Sequence, residues 1–490
     1  MHATDDAGVP ERLPQERFWG HPRQLWMLLG VTVGLNFAFY GFRAFLTPYI
    51  ADTFFAHLGA SAAQKQADLL ASGFLALMYA TPIIGGYVAD KVLGETRALA
   101  MSLWLGTISL LLMASPSLFG FEIGLSLFAL AAGLGIPLTV LIGRNYAKDD
   151  SRREGGYTLY YLAINLGSFV TPFICADLIG QRYGFRWGFV AAAAGMLLAA
   201  AVFQWRKHKL APILPDGSHL HGRMATVWVL LATLALTYPV ALLLAYPTVL
   251  RTAMYVLMAL LVIYFVVRCI QRGDRVQTQR YLALLLLFVA MVVFWALSLQ
   301  GVTSLNFFAR DHVVAPFHYT LFQSANPLYI LLFAPFMAML WPWLQRRGRD
   351  PSTPRKFGIG VLFVALSYGL LAWAISHAAG DRVGWMPLAL CYLLQTLGEL
   401  ALSPIGYALV GQLAAPEEAS LAMGGWFFGT ALAYQLAGWI ATQTASSGNA
   451  LQGFADYGHV YARLFWGGLV VAVVFLLAAP GIRRLMHGVR

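Results

Sequence analysis

Residues 24–50 read QLWMLLGVTVGLNFAFYGFRAFLTPYI, an apolar run in which Arg43 is the one charged side chain. Because a helix rises about 1.5 Å per residue, such a run is long enough to cross a hydrocarbon core of about 30 Å. Similar runs recur along the chain and leave no room for a soluble domain. A charged segment precedes this run, which lacks a small-residue cleavage site, so we expect it to remain as the first membrane helix.

The composition agrees with a membrane protein. Of 490 residues, 59% are hydrophobic and 11% are charged, too few polar groups to cover the surface of a soluble protein. We predict an all-α integral membrane protein that moves a small solute across the bilayer. About fourteen spans are expected, beginning near Gln24, Leu69, Ala98, Ile123, Tyr157, Trp187, Thr226, Ala253, Tyr281, Ala325, Phe357, Trp385, Ser420 and Tyr461.

The basic residues predict the orientation of these spans. They concentrate in alternate connections between apolar runs, so the positive-inside rule puts both termini in the cytoplasm. The net charge of +11 comes from these short loops and forms no continuous patch, so no nucleic-acid partner is expected. We predict a cytoplasmic segment at 1–23, a six-helix bundle at 24–206, a linker at 207–225, an extra hairpin at 226–275, a second six-helix bundle at 276–484 and a tail at 485–490.

Ionisable side chains inside apolar runs are costly, so they mark candidate sites. In the first helix Asn36, Tyr40, Arg43 and Thr47 share one face, which we expect to line a watery cavity. The alternative is contact between helices, with the arginine reaching the outer interface. Glu399 is the one carboxylate that the sequence places near the middle of a span.

Further polar side chains accompany Glu399. Gln395 and Ser403 continue its helical face, although a protonated acid used for packing is the alternative interpretation. A single Tyr, Trp or Asn inside a span is more often a packing residue than a ligand. Such residues would form a site only if the fold brought them to one cavity, and the candidates are Tyr79, Asn165, Trp295, Gln300, Asn326 and Trp426. The residues expected to interrupt helices as hinges are Pro172, Pro327, Pro335, Pro404 and the pair Gly85-Gly86.

Several stretches resemble the proton-dependent oligopeptide transporter (POT) family of the major facilitator superfamily, over nearly the whole chain. They are GGYVADKVLG at 85–94, YYLAINLGS at 160–168, NPLYI at 326–330 and GELALSPIG at 398–406. The resemblance implies two six-helix bundles with an extra hairpin, in a bacterial inner membrane. It also implies that Glu399 receives the amino group of a peptide. It assigns cavity positions to Arg43, Tyr79, Asn165 and Asn326, and gating roles to Asp90 and Lys91. With the polar residues found above, the predicted substrate-binding set is Asn36, Tyr40, Arg43, Tyr79, Asn165, Trp295, Gln300, Asn326, Glu399, Ser403 and Trp426, and the hinge residue Pro404 joins the predicted gating set.

The chain also departs from the family pattern. The family's ExxER motif precedes an aromatic pair and a glycine, and this frame puts Thr32, Leu35 and Asn36 at its three charged positions. The fourth-helix lysine that precedes a proline is Ile136 here, and the seventh-helix glutamate is Leu299. We therefore expect a secondary active transporter of di- and tripeptides whose proton coupling is weakened or rerouted, with Glu399 as the proton-coupling candidate.

Other functions stay open. The same fold could carry a non-peptide solute, such as an organic anion drawn to Arg43 or a peptide-like compound, or it could work as a proton-independent facilitator. An enzyme is disfavoured because the sequence has no HExxH or GxSxG motif. A receptor is disfavoured because it would be expected to carry a soluble signalling domain. We expect no cofactor and no metal, and a monomer whose partners are a short peptide, protons and the lipid bilayer.

Overall fold

The computed structural model describes residues 17–147, 150–213, 222–445 and 450–489, and it is built of long helices. Thirteen described helices are long and apolar enough to cross a membrane, and Ala419–Thr442 is a fourteenth long helix. That helix contributes polar side chains such as Thr430 and Tyr434 to a cavity. In chain order they are α1 (Arg23–Arg43), α2 (Ala60–Leu93), α3 (Glu95–Met113), α4 (Leu118–Arg144), α5 (Arg152–Tyr183), α6 (Phe185–Ala211), α7 (Met224–Ala245), α8 (Pro247–Arg272), α9 (Arg275–His312), α10 (Tyr319–Arg346), α11 (Thr353–Ser376), α12 (Trp385–Leu413), α13 (Ala419–Thr442) and α14 (Ala450–Leu485).

Short elements interrupt or join these helices. Proline starts several of the changes, because it lacks the N–H that continues a helix and its ring crowds the preceding turn. The interruptions are a break before Pro82–Val88, a π-turn at Ala89–Leu93, a break between Gly133 and Pro137, a π-helix at Pro172–Gly180 and a 3-10 turn at Leu299–Val302. The further short elements are the helix Leu46–Phe54, the 3-10 turns Ala56–Leu58, Lys207–Ile213 and Tyr319–Ser324, the antiparallel strands Arg17–Phe18 and His21–Pro22, and the parallel strands Val313–Val314 and Val383–Gly384.

The long helices form two bundles of six with a hairpin beside them. In the first bundle α1 packs against α5 and α6, and α3 packs against α4 and α6. In the second bundle α11 packs against α12 and α14, and α9 packs against α13. The hairpin of α7 and α8 contacts α2 and α4 on one side and α13 on the other. The prediction of an all-α membrane protein is confirmed.

The two glycines at 85–86 allow a close helix crossing. A Cβ atom on Gly85 would collide with the backbone of Gly133 on α4, whereas the neighbouring Gly86 has open space. Gly85 therefore lets α2 approach α4 where both helices are interrupted, which explains why this position of the 85–94 motif excludes a side chain.

The two ends of the molecule differ in charge. At one end, called the basic end, lie Arg23, Arg97, Arg144 and Arg206.

At the opposite end, called the far end, hydrogen bonds join the two bundles. Thr47 Oγ1 donates to the Val302 carbonyl oxygen at 2.5 Å. Further contacts there are Asn306 Nδ2 to the Ala44 carbonyl oxygen at 3.1 Å, Ser324 Oγ to the Phe169 carbonyl oxygen at 2.9 Å, and the ion pair of Arg310 with Asp52 at 3.0 Å. The far end is closed.

A polar network ties the hairpin to the loop before α13. Arg268 Nε donates to Glu418 Oε1 at 2.6 Å, and Tyr281 donates to the other oxygen of Glu418. Arg272 pairs with Glu417 at 3.1 Å. Burial opposes ionisation of Glu418, but the hydrogen bonds from Tyr281 and Arg268 and the charge of Arg272 outweigh it and lower the pKa of Glu418.

Several helix boundaries differ from the prediction. The second span was expected near Leu69 and the last near Tyr461, but α2 begins at Ala60 and α14 at Ala450. Polar residues extend these helices beyond their apolar runs: Asp68 is buried by the bundle, whereas Lys65 and Gln452 are exposed. The run at 24–50 is not one helix either, since α1 ends at Arg43 and a second helix begins at Leu46. Parts of the predicted N-terminal segment (1–16), linker (214–221) and tail (490) lie outside the described residues.

Candidate functional site

A cavity of about 250 Å³ lies between the two bundles. It is bounded by α1 and α2 of the first bundle and by α9, α10, α12 and α13 of the second. The lining residues are Tyr40, Arg43, Tyr79, Trp295, Ser298, Leu299, Gly301, Gln323, Asn326, Pro327, Tyr392, Gln395, Glu399, Thr430 and Tyr434. One cation and one carboxylate are therefore set among aromatic and neutral polar groups.

Glu399 is held from the side of α10. Asn326 Nδ2 donates to Glu399 Oε2 at 2.9 Å and to Thr396 Oγ1 at 3.0 Å. The 3-10 turn Tyr319–Ser324 precedes Asn326 and sets it in the first turn of the following helix, opposite the middle of α12. The amide orients the carboxylate, which faces the cavity.

Arg43 is the cation of the cavity and is the last residue of α1. Its guanidinium carbon lies 5.1 Å from the centre of the Tyr40 ring, and its buried Nε has no hydrogen-bond partner among the described residues. Tyr434, Tyr40, Tyr79 and Tyr392 interact with it electrostatically. Where the family resemblance implies a glutamate, Leu299 lines the wall. A half-buried guanidinium with such a donor is suited to bind an oxyanion.

The two charges belong to different halves of the molecule. Arg43 comes from the first bundle and Glu399 from the second, and they interact electrostatically across the cavity. Such a pair can orient a dipolar molecule, with its negative group at Arg43 and its positive group at Glu399. A change in the relative position of the bundles would change the distance between these charges.

The cavity gathers part of the predicted site. Tyr40, Tyr79, Trp295 and Asn326 lie in it together with Arg43 and Glu399. The Tyr79 and Tyr434 rings meet across the two bundles with their centres 5.3 Å apart. The convergence that the sequence could not establish is therefore observed for these six predicted residues.

Other predicted residues lie outside this cavity. Asn36 donates to the Thr32 carbonyl oxygen at 2.8 Å and borders a separate pocket within the first bundle. Asn165 is buried and donates to the Tyr161 carbonyl oxygen at 2.9 Å. Thr47, expected on the cavity stripe, is instead buried at the far end, because the break after α1 changes the direction of its helix.

Gln300 and Trp426 contact neighbouring helices. Gln300 is completely buried, and its amide donates to the Ala437 carbonyl oxygen at 3.0 Å. Trp426 packs edge-on against Phe288 and Phe357, beside a groove between the hairpin and the second bundle. The side chains of Ser403 and Pro404 are outside the described part of the structure.

The predicted gating residues Asp90 and Lys91 lie at the basic end. Both are exposed in the π-turn that ends α2. Nearby, Arg144 donates from Nε to Glu95 Oε1 at 2.9 Å and ties α4 to the start of α3. Sequence reasoning missed this pair because it is formed only when the two helices pack.

Several cavity residues were also missed. Tyr392 precedes Glu399 by two turns on α12, so the helical spacing used for Gln395 would have found it. No local signal distinguishes Gln323, Thr430 and Tyr434 from packing residues, because their helices are apolar around them.

Comparison with known proteins gives a consistent result. A family model described as PTR2, POT family, matches residues 98–460. The uncharacterized transporter YclF of Bacillus subtilis is 31% identical over 100% of both chains, and the peptide transporter YePEPT of Yersinia enterocolitica is 32% identical over 96% of both. A crystal structure of the peptide transporter POT in complex with sulfate matches with a TM-score of 0.82 and 29% identity, over 97% of this chain and 98% of that chain.

A second solved structure extends the comparison. A POT family transporter in complex with 5-aminolevulinic acid matches with a TM-score of 0.80 and 27% identity, over 96% of this chain and 99% of that chain. These matches confirm the predicted major facilitator fold, two six-helix bundles with an extra hairpin.

Proposed function

The chain belongs to the POT family of membrane transporters, and from this premise we propose that it carries di- and tripeptides across the membrane by alternating access. One observation carries the proposal: Arg43 and Glu399 face a single small cavity from opposite bundles. Relatives named as peptide transporters, among them YePEPT, support the same substrate class.

The cavity chemistry matches a zwitterionic backbone. The peptide ammonium binds Glu399, whose carboxylate Asn326 orients at 2.9 Å, and the peptide carboxylate binds Arg43. Tyr40, Tyr79 and Trp295 supply aromatic surface for the peptide side chains. A volume of about 250 Å³ favours short substrates, since it lies just below the range of roughly 300–1,000 Å³ for small-molecule sites.

Transport then requires the cavity to open to each side in turn. The basic end faces the cytoplasm of a bacterial inner membrane, with both termini there, since basic residues collect on that side. The closed far end separates the cavity from the outside, and the bundles move against each other around a central site. The working unit is a monomer in the lipid bilayer, with residues 24–206 and 276–484 as the two bundles and 226–275 as the hairpin.

Proton coupling is weakened or rerouted in this transporter. Thr32, Leu35 and Leu299 replace the acidic residues of the family, and Leu299 lines the same cavity as Arg43 without a charge. Glu399 is the cavity carboxylate that remains to exchange a proton, and a coupled carrier needs a group whose protonation energy differs between its two states. Asp90, Lys91 and Pro404 serve as gating elements near the cytoplasmic end.

A second candidate is a non-peptide organic anion, carried with or without protons. Arg43 Nε, which has no partner in the described part of the chain, favours it, because an organic anion can accept from that donor without an ammonium group at Glu399. Dipeptides would then fail to compete with the bound solute.

The test is uptake of labelled di- and tripeptides into proteoliposomes, with and without an imposed inward proton gradient, against protein-free liposomes. We expect saturable uptake under both conditions and a weak effect of the gradient. No uptake under either condition would contradict peptide transport and favour the organic anion.

A further inference from the structure

Asp68 is a buried carboxyl group that the candidate site does not use. Its side chain is 0% exposed, and both of its oxygens lack a hydrogen-bond partner among the described residues. Because α2 begins at Ala60, Asp68 lies about two turns inside the helix. The sequence-based start at Leu69 had left it at the edge of the span.

Asp68 lies on the face of α2 that meets the second bundle. Gln64, Asp68 and Ser72 are four residues apart, so they share one side of the helix. Gln64 Nε2 donates to Tyr457 Oη at 3.1 Å and to Thr444 Oγ1 at 3.2 Å. A Cβ atom on Gly438 of α13 would collide with Ser72, so the helices are in close contact there. Contacts between the bundles therefore lie one turn before and one turn after Asp68.

The same interface leads to the cavity. About three turns beyond Asp68 along α2, Tyr79 meets Tyr434 of α13 at the cavity wall. Asp68 thus lies between the closed far end and the central cavity, where water would reach it if the two bundles separated.

No cation in the described structure compensates a charge on Asp68. Ionisable groups on the elements packed around α2 include Tyr49, Asp52, His57, Glu122, Tyr238, Arg251, Tyr255, Arg268, Arg272, Tyr434 and Tyr457. Among the described residues, Arg268 and Arg272 pair with Glu418 and Glu417, and Arg251 makes no hydrogen bond to the Asp68 oxygens. Asp52 is already paired with Arg310, and Tyr457 interacts electrostatically with Asp68 but carries no positive charge. Without solvent, a cation or a hydrogen-bond donor nearby, an ionised carboxylate is strongly disfavoured relative to the protonated acid. Asp68 therefore holds its proton while the interface is closed.

We propose that Asp68 is a proton-binding site that controls closure of the far end of the transporter. The bundles close over the protonated carboxyl group. When the interface opens, water enters, the O–H bond ionises and the proton passes to that water; closure then requires the proton to return. This inference rests on the proposed alternating access and identifies a residue through which proton dependence is rerouted.

The test measures the opening of the far end directly. Nitroxide labels are attached at Ala60→Cys and Ala455→Cys, both exposed at this end, in a protein whose half-buried Cys269 is changed to Ser. In this doubly labelled parent, pulsed electron paramagnetic resonance reports the distance between the bundles. The purified protein is measured without peptide between about pH 5 and about pH 9, a range in which buried carboxyl groups titrate. We expect the distances in the labelled parent to lengthen as the pH rises.

Asp68→Asn carries a neutral amide, so its distances should remain short over the whole range. Asp68→Ser, a smaller neutral variant, should behave likewise if Asp68→Asn does not yield folded protein by gel filtration. Glu122→Gln is the matched control, the same carboxyl-to-amide change on α4, and it should keep the pH response. A parent without a pH response, or an Asp68→Asn protein that retains it, would overturn the proposal.

The measurement needs no transported substrate. Failed peptide uptake with an intact, Asp68-dependent pH response would overturn the peptide proposal alone. Successful uptake with no Asp68-dependent response would overturn the inference about Asp68 alone.

Discussion

Arg43 and Glu399 line the same cavity from opposite bundles, and among the described residues neither belongs to an ion pair. Asn326 holds the carboxylate on one side, while the guanidinium lies over the Tyr40 ring on the other. Both charges are therefore available to a ligand, and the ligand itself would link the bundles. The first two predictions use this separation.

Replacing Arg43 should weaken binding of substrates that carry a free carboxylate. A charge-assisted hydrogen bond contributes about 1.5–3 kcal/mol, so Arg43→Gln should raise the half-saturating dipeptide concentration by about 10- to 100-fold. Competition assays with a dipeptide and its C-terminal amide measure this effect. The parent should prefer the free acid, and Arg43→Gln should bind both alike. The exposed Arg182→Gln serves as a control, and an undiminished preference in Arg43→Gln would exclude a carboxylate contact.

Replacing Glu399 should weaken recognition of the amino group. Glu399→Gln should lower the affinity for a free dipeptide by about tenfold or more and abolish its advantage over the N-acetylated form. The same proteoliposomes test proton exchange at this residue, because a gradient effect carried by Glu399 should disappear with it. Robust proton-driven uptake by Glu399→Gln would show that another group carries the proton.

Adding a carboxylate beside Arg43 should strengthen the response to protons. Leu299 lines the cavity wall, so Leu299→Glu introduces a titratable partner for the guanidinium. A pair of about 1 kcal/mol would compete with the substrate carboxylate and weaken peptide binding about fivefold unless the new acid is protonated. An inward proton gradient should then stimulate uptake more than in the parent. Leu299→Gln is the uncharged control, and equal stimulation in both variants would argue against this pairing.

Removing Glu418 should loosen the hairpin from the second bundle. Glu418→Gln loses the pairing with Arg268 and should lower stability by about 1 kcal/mol, seen as a lower melting temperature in detergent. Glu417→Gln, at a largely exposed partner of Arg272, should change it less.

The same variant has a defined pH dependence. Because the folded-state pKa of Glu418 is lowered, its stabilisation is present above the ordinary glutamate pKa of about 4.3 and is lost as the pH falls through the folded value. The difference in melting temperature between parent and Glu418→Gln should therefore shrink on acidification. A difference that grows would contradict the sign of this linkage.

The amino-acid sequence determined the class of protein and much of its helix order. Apolar length and short motifs are local properties, so residues 24–50 and 85–94 could be interpreted without any tertiary contact. The same local information located Glu399 and Arg43 and showed that Leu299 is not acidic. It misplaced the start of α2, because the polar residues of its first two turns look like a loop in a hydropathy pattern.

Only the tertiary structure decided which polar side chains face the cavity. Asn326 and Gln300 are both amides within apolar runs, yet Asn326 orients Glu399 and Gln300 donates to a backbone carbonyl of a neighbouring helix. Their roles depend on the rotation of each helix and on partners far away in sequence. The same holds for Asp68: it became a buried carboxyl group, without a partner among the residues described, only when α2 packed against α13, because burial is a property of the contact between helices.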